Sequence, residues 1–186
     1  MEELTDSSLM KLVQAGDSSQ LAVLFERHHA GLFRYLMQLS RNRALSEDLT
    51  QEVFFRVLRY ARTYDPDLPF PVWLYRMGRN AFFDSLRARS AEPMDAQTLQ
   101  LRSREPMPEE AFSRKQERTF LEEALQNLSE EKREVLVLSR FHDLRYQEIA
   151  QIMKCEVGTV KVRVYRALRE LREKFCELRG EKLYDV

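Results

Sequence analysis

Lys161, Arg163, Arg166 and Arg169 fall within a stretch of nine residues that contains no acid. Their side chains are of the kind that hold phosphate oxygens or the edge of a guanine. Interleaved with them, Val160, Val164, Ala167, Leu168 and Leu171 recur at steps of three and four. That period predicts a helix with one buried face and a free cationic face. Just upstream, Ile149, Ala150 and Met153 have helical spacing on a shorter segment. A tight connection, Lys154-Cys155-Glu156-Val157, leads to a second helix opening near Gly158-Thr159. This is the outline of a helix-turn-helix, whose second helix enters the major groove of DNA. A solvated basic face on an ordinary surface helix would also account for the charge, but DNA binding is favoured.

Other chemistry is harder to assemble. His28, His29, His142, Cys155 and Cys176 have no metal-ligand spacing, so neither a metal site nor a disulfide is expected. No carboxylate cluster, nucleophile arrangement or Gly-rich phosphate loop is present, so no cofactor and no enzyme activity are expected. The 186 residues carry 30 basic and 30 acidic side chains. Autonomous DNA binders usually have a basic excess, so a neutral chain implies weak DNA binding alone and a partner that supplies electrostatics. No run of eighteen apolar residues occurs and the N-terminus is acidic, so a cytoplasmic protein without membrane insertion is expected.

The elements that must position these residues read as all-α. Leu9, Leu12 and Val13 form a first apolar stripe, closed by Gly16 and capped again by Asp17. A helix from about Ser18 to Leu39 directs Leu21, Leu24, Phe25, Leu32, Leu36 and Leu39 inward. A third is expected to open at Ser46 as N-cap and to bury Leu49, Val53, Phe54, Val57 and Leu58. Pro66, Pro69 and Pro71 then stiffen a loop before a helix over about Val72–Arg89. Residues 90–108 lose the period and read as a linker, with a short helical turn near Leu99. Phe112, Leu121, Ala124, Leu125 and Leu128 resume it, and Ser129 caps the next helix. Two small helical domains, 1–89 and 109–186, on a tether over 90–108, are the expected architecture.

Two segments carry a resemblance. Ser46-Glu47-Asp48-Leu49-Thr50-Gln51-Glu52-Val53-Phe54, then Tyr64-Asp65-Pro66 and Phe70-Pro71-Val72-Trp73-Leu74-Tyr75-Arg76, resembles region two of bacterial sigma factors. Leu128-Ser129-Glu130-Glu131-Lys132-Arg133-Glu134-Val135-Leu136, then Tyr146-Gln147-Glu148-Ile149-Ala150 and Val157-Gly158-Thr159-Val160-Lys161, is similar to their region four. Their order and spacing resemble the small extracytoplasmic-function (ECF) group. The resemblance implies a promoter-specificity subunit that binds core RNA polymerase, through the coiled coil of its largest subunit and its flap, and promoter DNA. It also implies an anti-sigma partner.

On this resemblance, Asp48, Gln51, Glu52 and Phe55 share one helical stripe that docks on the polymerase. An acid and amide stripe suits a basic partner helix, and Phe55 supplies a desolvated anchor. The alternative is that Asp48 and Glu52 are surface acids near a helix N-terminus. Asp65, Asp67 and Phe70 in the loop, with Arg76, Arg79, Asn80, Phe83 and Arg87 on the next helix, are assigned to the minus-ten element. Trp73 is read as core or as a base stacker. Tyr146, Thr159, Lys161, Val162, Arg163, Tyr165 and Arg166 are assigned to the minus-thirty-five element. Val162, and Arg145 before Tyr146, stand where relatives often carry a small hydroxyl residue, so the base preference is open there. The competing function is a dimeric helix-turn-helix regulator that binds duplex DNA without polymerase.

Overall fold

The computed structural model describes residues 4–91, 109–142 and 144–180, and all of its described secondary structure is helical. The expected linker with its turn near Leu99 falls in 92–108, outside the described residues, and the side chain of Phe112 is outside them too. Contacts group residues up to 91 with 147–155 in one compact unit, and 109–146 with 156–180 in a second.

The first unit is built on α1 (Asp6–Gln14), α2 (Gln20–Ser40), α3 (Arg43–Arg59) and α4 (Phe70–Ala91). Gly16, at a φ of 107°, turns the chain after α1. The carboxylate of Asp17 then accepts from the Ser19 amide at 3.1 Å and from Gln20 Nε2 at 2.9 Å, holding the entry to α2. The Ser19 hydroxyl also donates to this carboxylate, and that bond foremost, then the one from Gln20, keeps the Asp17 carboxyl below its ordinary pKa. Leu24, Leu32, Tyr35 and Leu36 of α2 meet Val53 and Val57 of α3 and Val72 and Leu74 of α4 in a closed core. Leu12 and Leu58, expected inside, are 38% and 43% exposed, because each lies a step past the buried stripe of its helix.

The start of α3 corrects the expected cap. Arg41 closes α2 at a φ of 53°, and Asn42 follows in an extended conformation. Its carboxamide oxygen accepts from the Leu45 amide at 3.0 Å, so Asn42 is the N-cap. Ser46 lies one turn inside the helix, fully buried, and donates to the Asn42 carbonyl at 2.8 Å. Helix α4 likewise begins earlier than expected, at Phe70, with Pro71 in its first turn where a missing N–H costs nothing. Its Gly78 packs so close to α2 that a Cβ there would come within 2.8 Å of Leu32 Cδ1.

In the second unit, α5 (Glu109–Gln126) and α6 (Glu130–Leu136) pack on α8 (Val157–Arg179). Arg133 donates to the carbonyls of Leu125, Gln126 and Leu128 at 3.2, 2.9 and 3.1 Å, satisfying the open end of α5. Ser129 holds the N-cap position of α6 without a side-chain bond. Lys132 of α6 pairs with Glu170 of α8, and Glu131 with Arg163 at 3.8 Å. A π-helical turn, Val137–Phe141, follows α6. The short α7 (Tyr146–Met153), grouped from residue 147 with the first unit, ends where Lys154 takes a φ of 52° and the Cys155 amide donates to Ala150 O at 3.0 Å. That backbone turn leads directly into α8.

Candidate nucleic-acid interface

The loop between α3 and α4 is anchored from beneath. Tyr64 packs its ring 5.1 Å from that of Trp73 and 6.1 Å from that of Phe70, while His28 lies 5.2 Å from Phe70. The Tyr64 hydroxyl donates to Leu68 O at 2.6 Å, and burial raises its pKa. Gln14 Nε2, reaching from α1, donates to Ala61 O and Tyr64 O at 3.0 and 2.9 Å. Asp65 and Asp67 are left exposed, with Asp65 Oδ1 accepting from the Asp67 amide at 3.0 Å. Phe70 is only 1% exposed, which corrects its assignment as a DNA contact: as the first residue of α4 it turns into the core. Trp73, at 3%, is core as well.

Beyond the loop, Arg76, Arg79, Asn80, Phe83 and Arg87 recur along one face of α4. Asn80 is exposed, whereas Arg76, Arg79 and Phe83 are half-buried. The Arg79 guanidinium lies 4.7 Å from the centre of the Phe83 ring, a cation–π contact that fixes its direction. Arg87 is paired with Asp84, which also holds Arg56 at 3.5 Å. Arg56 is bound from its other side by Glu52 at 2.8 Å, and these carboxylates raise its pKa, Glu52 most. Arg87 is therefore already partly neutralised, and Asn80 is exposed beside the half-buried Arg79 and Phe83.

On α3, Asp48, Gln51, Glu52 and Phe55 are all exposed, and Phe55 is 69% exposed, large for an aromatic residue. Beside it runs a groove of about 450 Å³ lined by Gln51, Phe54, Phe55 and Leu58 of α3 and by Leu21, Ala22 and Phe25 of α2, with Glu26 at its rim. The α2 wall was not legible in the sequence, where Leu21 and Phe25 read as ordinary core. Leu58 gave no signal either, since it was expected inside and is 43% exposed.

On α8, Val160, Val164 and Ala167 are buried, which leaves Thr159, Lys161, Val162, Tyr165 and Arg166 in solvent. Val162 is 48% and Tyr165 68% exposed. Leu168, expected inside, is 36% exposed. Arg163 is half-buried and turned toward Glu131, so it braces α8 on α6 rather than joining the exposed set. Tyr146, at the start of α7, is half-buried. An exposed surface with two cations, a hydroxyl, an aliphatic group and a phenol can meet phosphates, base edges and a thymine methyl.

The family models for sigma-70 region 2 and region 4 match residues 24–92 and 121–171. The ECF RNA polymerase sigma-E factor of Haemophilus influenzae is 31% identical over 191 residues, spanning 95% of this chain and 98% of that one. The chain belongs to the ECF RNA polymerase sigma factors. Solved structures of related fold include CnrH in complex with the cytosolic domain of CnrY, at 23% identity, covering 90% and 95% of the two chains with a TM-score of 0.70. RpoE of Bartonella quintana, in complex with the anti-sigma factor NepR, has 21% identity, covers 82% and 94%, and gives a TM-score of 0.65. In this sigma factor the region-2 match contains the α3 stripe, the loop and the α4 face. The region-4 match contains the exposed residues of α8. A sigma factor directs promoter recognition.

Proposed function

We propose that this sigma factor divides its task among three surfaces. The α3 stripe, Asp48, Gln51, Glu52 and Phe55, with the adjoining groove, docks on a basic coiled coil of core RNA polymerase. Asp65, Asp67, Arg76, Arg79, Asn80, Phe83 and Arg87 handle the minus-ten element, where a stiffened loop loses little entropy on capturing an unpaired base. Thr159, Lys161, Val162, Tyr165 and Arg166 read the minus-thirty-five duplex, with Tyr146 at its edge and Arg163 as a brace. The observation that carries this reading is the pairing of a 69%-exposed Phe55 with an acidic stripe, a surface suited to a protein and not to DNA.

The protein acts without catalysis of its own and works in the cytoplasm. No helix among the described residues is long and apolar enough to cross a membrane. The same groove is the surface an anti-sigma factor would cover, and the complexed structures of similar fold support such a partner. Run-off transcription from fragmented genomic DNA tests the whole reading. Core polymerase should start at defined sites only when this chain is added, and aligned start sites should show both promoter elements. A sharp shift of duplex DNA by the chain alone, with no added transcripts, would instead establish the regulator.

A further inference from the structure

Helix α1 belongs to none of the three surfaces, and it precedes the region-2 match, which begins at residue 24. It nevertheless grips the loop between α3 and α4. Gln14, half-buried at the end of α1, places one nitrogen 3.0 Å from Ala61 O and 2.9 Å from Tyr64 O. Those two carbonyls bracket the 3₁₀ turn Ala61–Thr63, where the chain leaves α3 for the loop. A carboxamide nitrogen carries two N–H groups, so a single side chain satisfies both acceptors. From the first turn of α1, Ser7 Oγ comes within 3.3 Å of the Tyr64 hydroxyl. That hydroxyl gives its own proton to Leu68 O, near the far end of the loop.

Helix α1 is itself anchored. Asp6 accepts from Arg27 Nη1 at 2.9 Å and lies 2.7 Å from His28 Nε2, both on α2. Leu9, Met10 and Val13 are buried. The loop therefore has fixed ends and a free middle. Tyr64 is tied to α1 and Phe70 is seated in the core, while Asp65, Pro66, Asp67 and Pro69 are exposed. A segment that receives an unpaired base binds it only from the shape that fits. Apparent affinity thus falls with the fraction of molecules in that shape. Two hydrogen bonds at the start of the loop raise that fraction without touching the base.

We propose that Gln14 is a positioning residue for promoter opening. Its two hydrogen bonds, to Ala61 O and Tyr64 O, hold the loop over 65–69 in the shape that captures an unpaired minus-ten base. This rests on the assignment of the loop to the minus-ten element. Helix α1 acts on the DNA through the loop alone.

The test uses full-length chain bound to core RNA polymerase, with promoter elements taken from the aligned start sites. Three probes are compared: fork DNA with a single-stranded minus-ten segment, the same fork with random sequence, and duplex carrying only the upstream element. The readout is the ratio of affinities for the two forks, which a loss of folded protein leaves unchanged. Gln14→Glu replaces the two donors by an acceptor facing two carbonyls, and the ratio should fall about tenfold. Gln14→Met, of similar length and without a donor or a charge, should lower it by about the same factor, and it serves if Gln14→Glu does not fold. Gln14→Lys, with three donors on one nitrogen, should keep the ratio within about twofold, since its added charge acts on both forks alike. Binding to the upstream duplex and to core enzyme should be unchanged in all three variants. A wild-type ratio in Gln14→Met would overturn the positioning role and leave the minus-ten assignment standing. So would an equal loss on all three probes, because Gln14 would then serve the fold alone. A ratio lost in Gln14→Lys as fully as in Gln14→Met would also overturn it, since donors to the two carbonyls would not be what matters. Wild-type holoenzyme with no preference for the minus-ten fork over the random one would overturn the minus-ten assignment, and the positioning role with it.

Discussion

Phe55 and Arg163 show how far a side chain's role follows from its type. Phe55 is apolar and yet mostly in solvent, so its truncation should leave the fold intact and remove binding alone. Phe55→Ala should weaken core polymerase binding by about 2 kcal/mol, roughly thirtyfold, with an unchanged melting temperature; a titration of labelled chain with core enzyme measures it. On α8, Arg166→Ala should cost about 1–3 kcal/mol and relax the choice of one base pair, whereas Lys161→Ala should weaken all sequences alike and lower the duplex salt slope by about 0.9. Competition binding over a set of single-base promoter variants separates the two. Helical spacing made Asp48, Gln51, Glu52 and Phe55 legible as one stripe, since spacing survives folding. It could not show that Phe70 turns inward or that Arg163 meets Glu131, because those depend on where another element lies. Tyr75 gives a pH-dependent case: burial pushes its phenol up to about 12. An unfolded tyrosine releases its proton near 10, so the folded chain binds the extra proton between those values and stability falls as pH rises through that window. The drop should approach roughly 2–3 kcal/mol by urea unfolding at pH 9 and pH 12, and Tyr75→Phe should reduce it.

Between elements, the closest tolerance is that of α4 on α2 at Gly78. Leu32, whose Cδ1 would meet an added Cβ at 2.8 Å, is fully buried and cannot swing into solvent. Overpacking of about 1–3 kcal/mol should exceed the gain of about 1 kcal/mol in helix propensity, so Gly78→Ala should destabilise the first unit by roughly 1 kcal/mol in a thermal melt. The helices themselves were legible from their apolar period, and their ends much less so. Ser46 with Glu47 and Asp48 has the composition of a helix start, but Asn42 precedes it by one turn and takes the cap once Arg41 reverses the chain. Similarly, α7 was recognisable from Ile149, Ala150 and Met153, but its grouping with residues up to 91 had no signature in sequence.

For the whole molecule, the neutral balance of 30 basic and 30 acidic residues gives the chain no net charge to draw it to DNA. The tandem order of the two matched regions was what made the family legible, since α7 and α8 alone fit any helix-turn-helix protein. The groove between α2 and α3 has a consequence for how long the subunit lasts in the cell. Phe55, Leu58 and the α2 wall present an exposed apolar surface, and quality-control machinery reads such surfaces as damage. Turnover should therefore track occupancy: after synthesis is blocked, the free subunit should decay faster than the polymerase-bound one, and Phe55→Ser should slow the decay of the free pool. The groove proposed to dock on polymerase would then also act as the clock that ends the response.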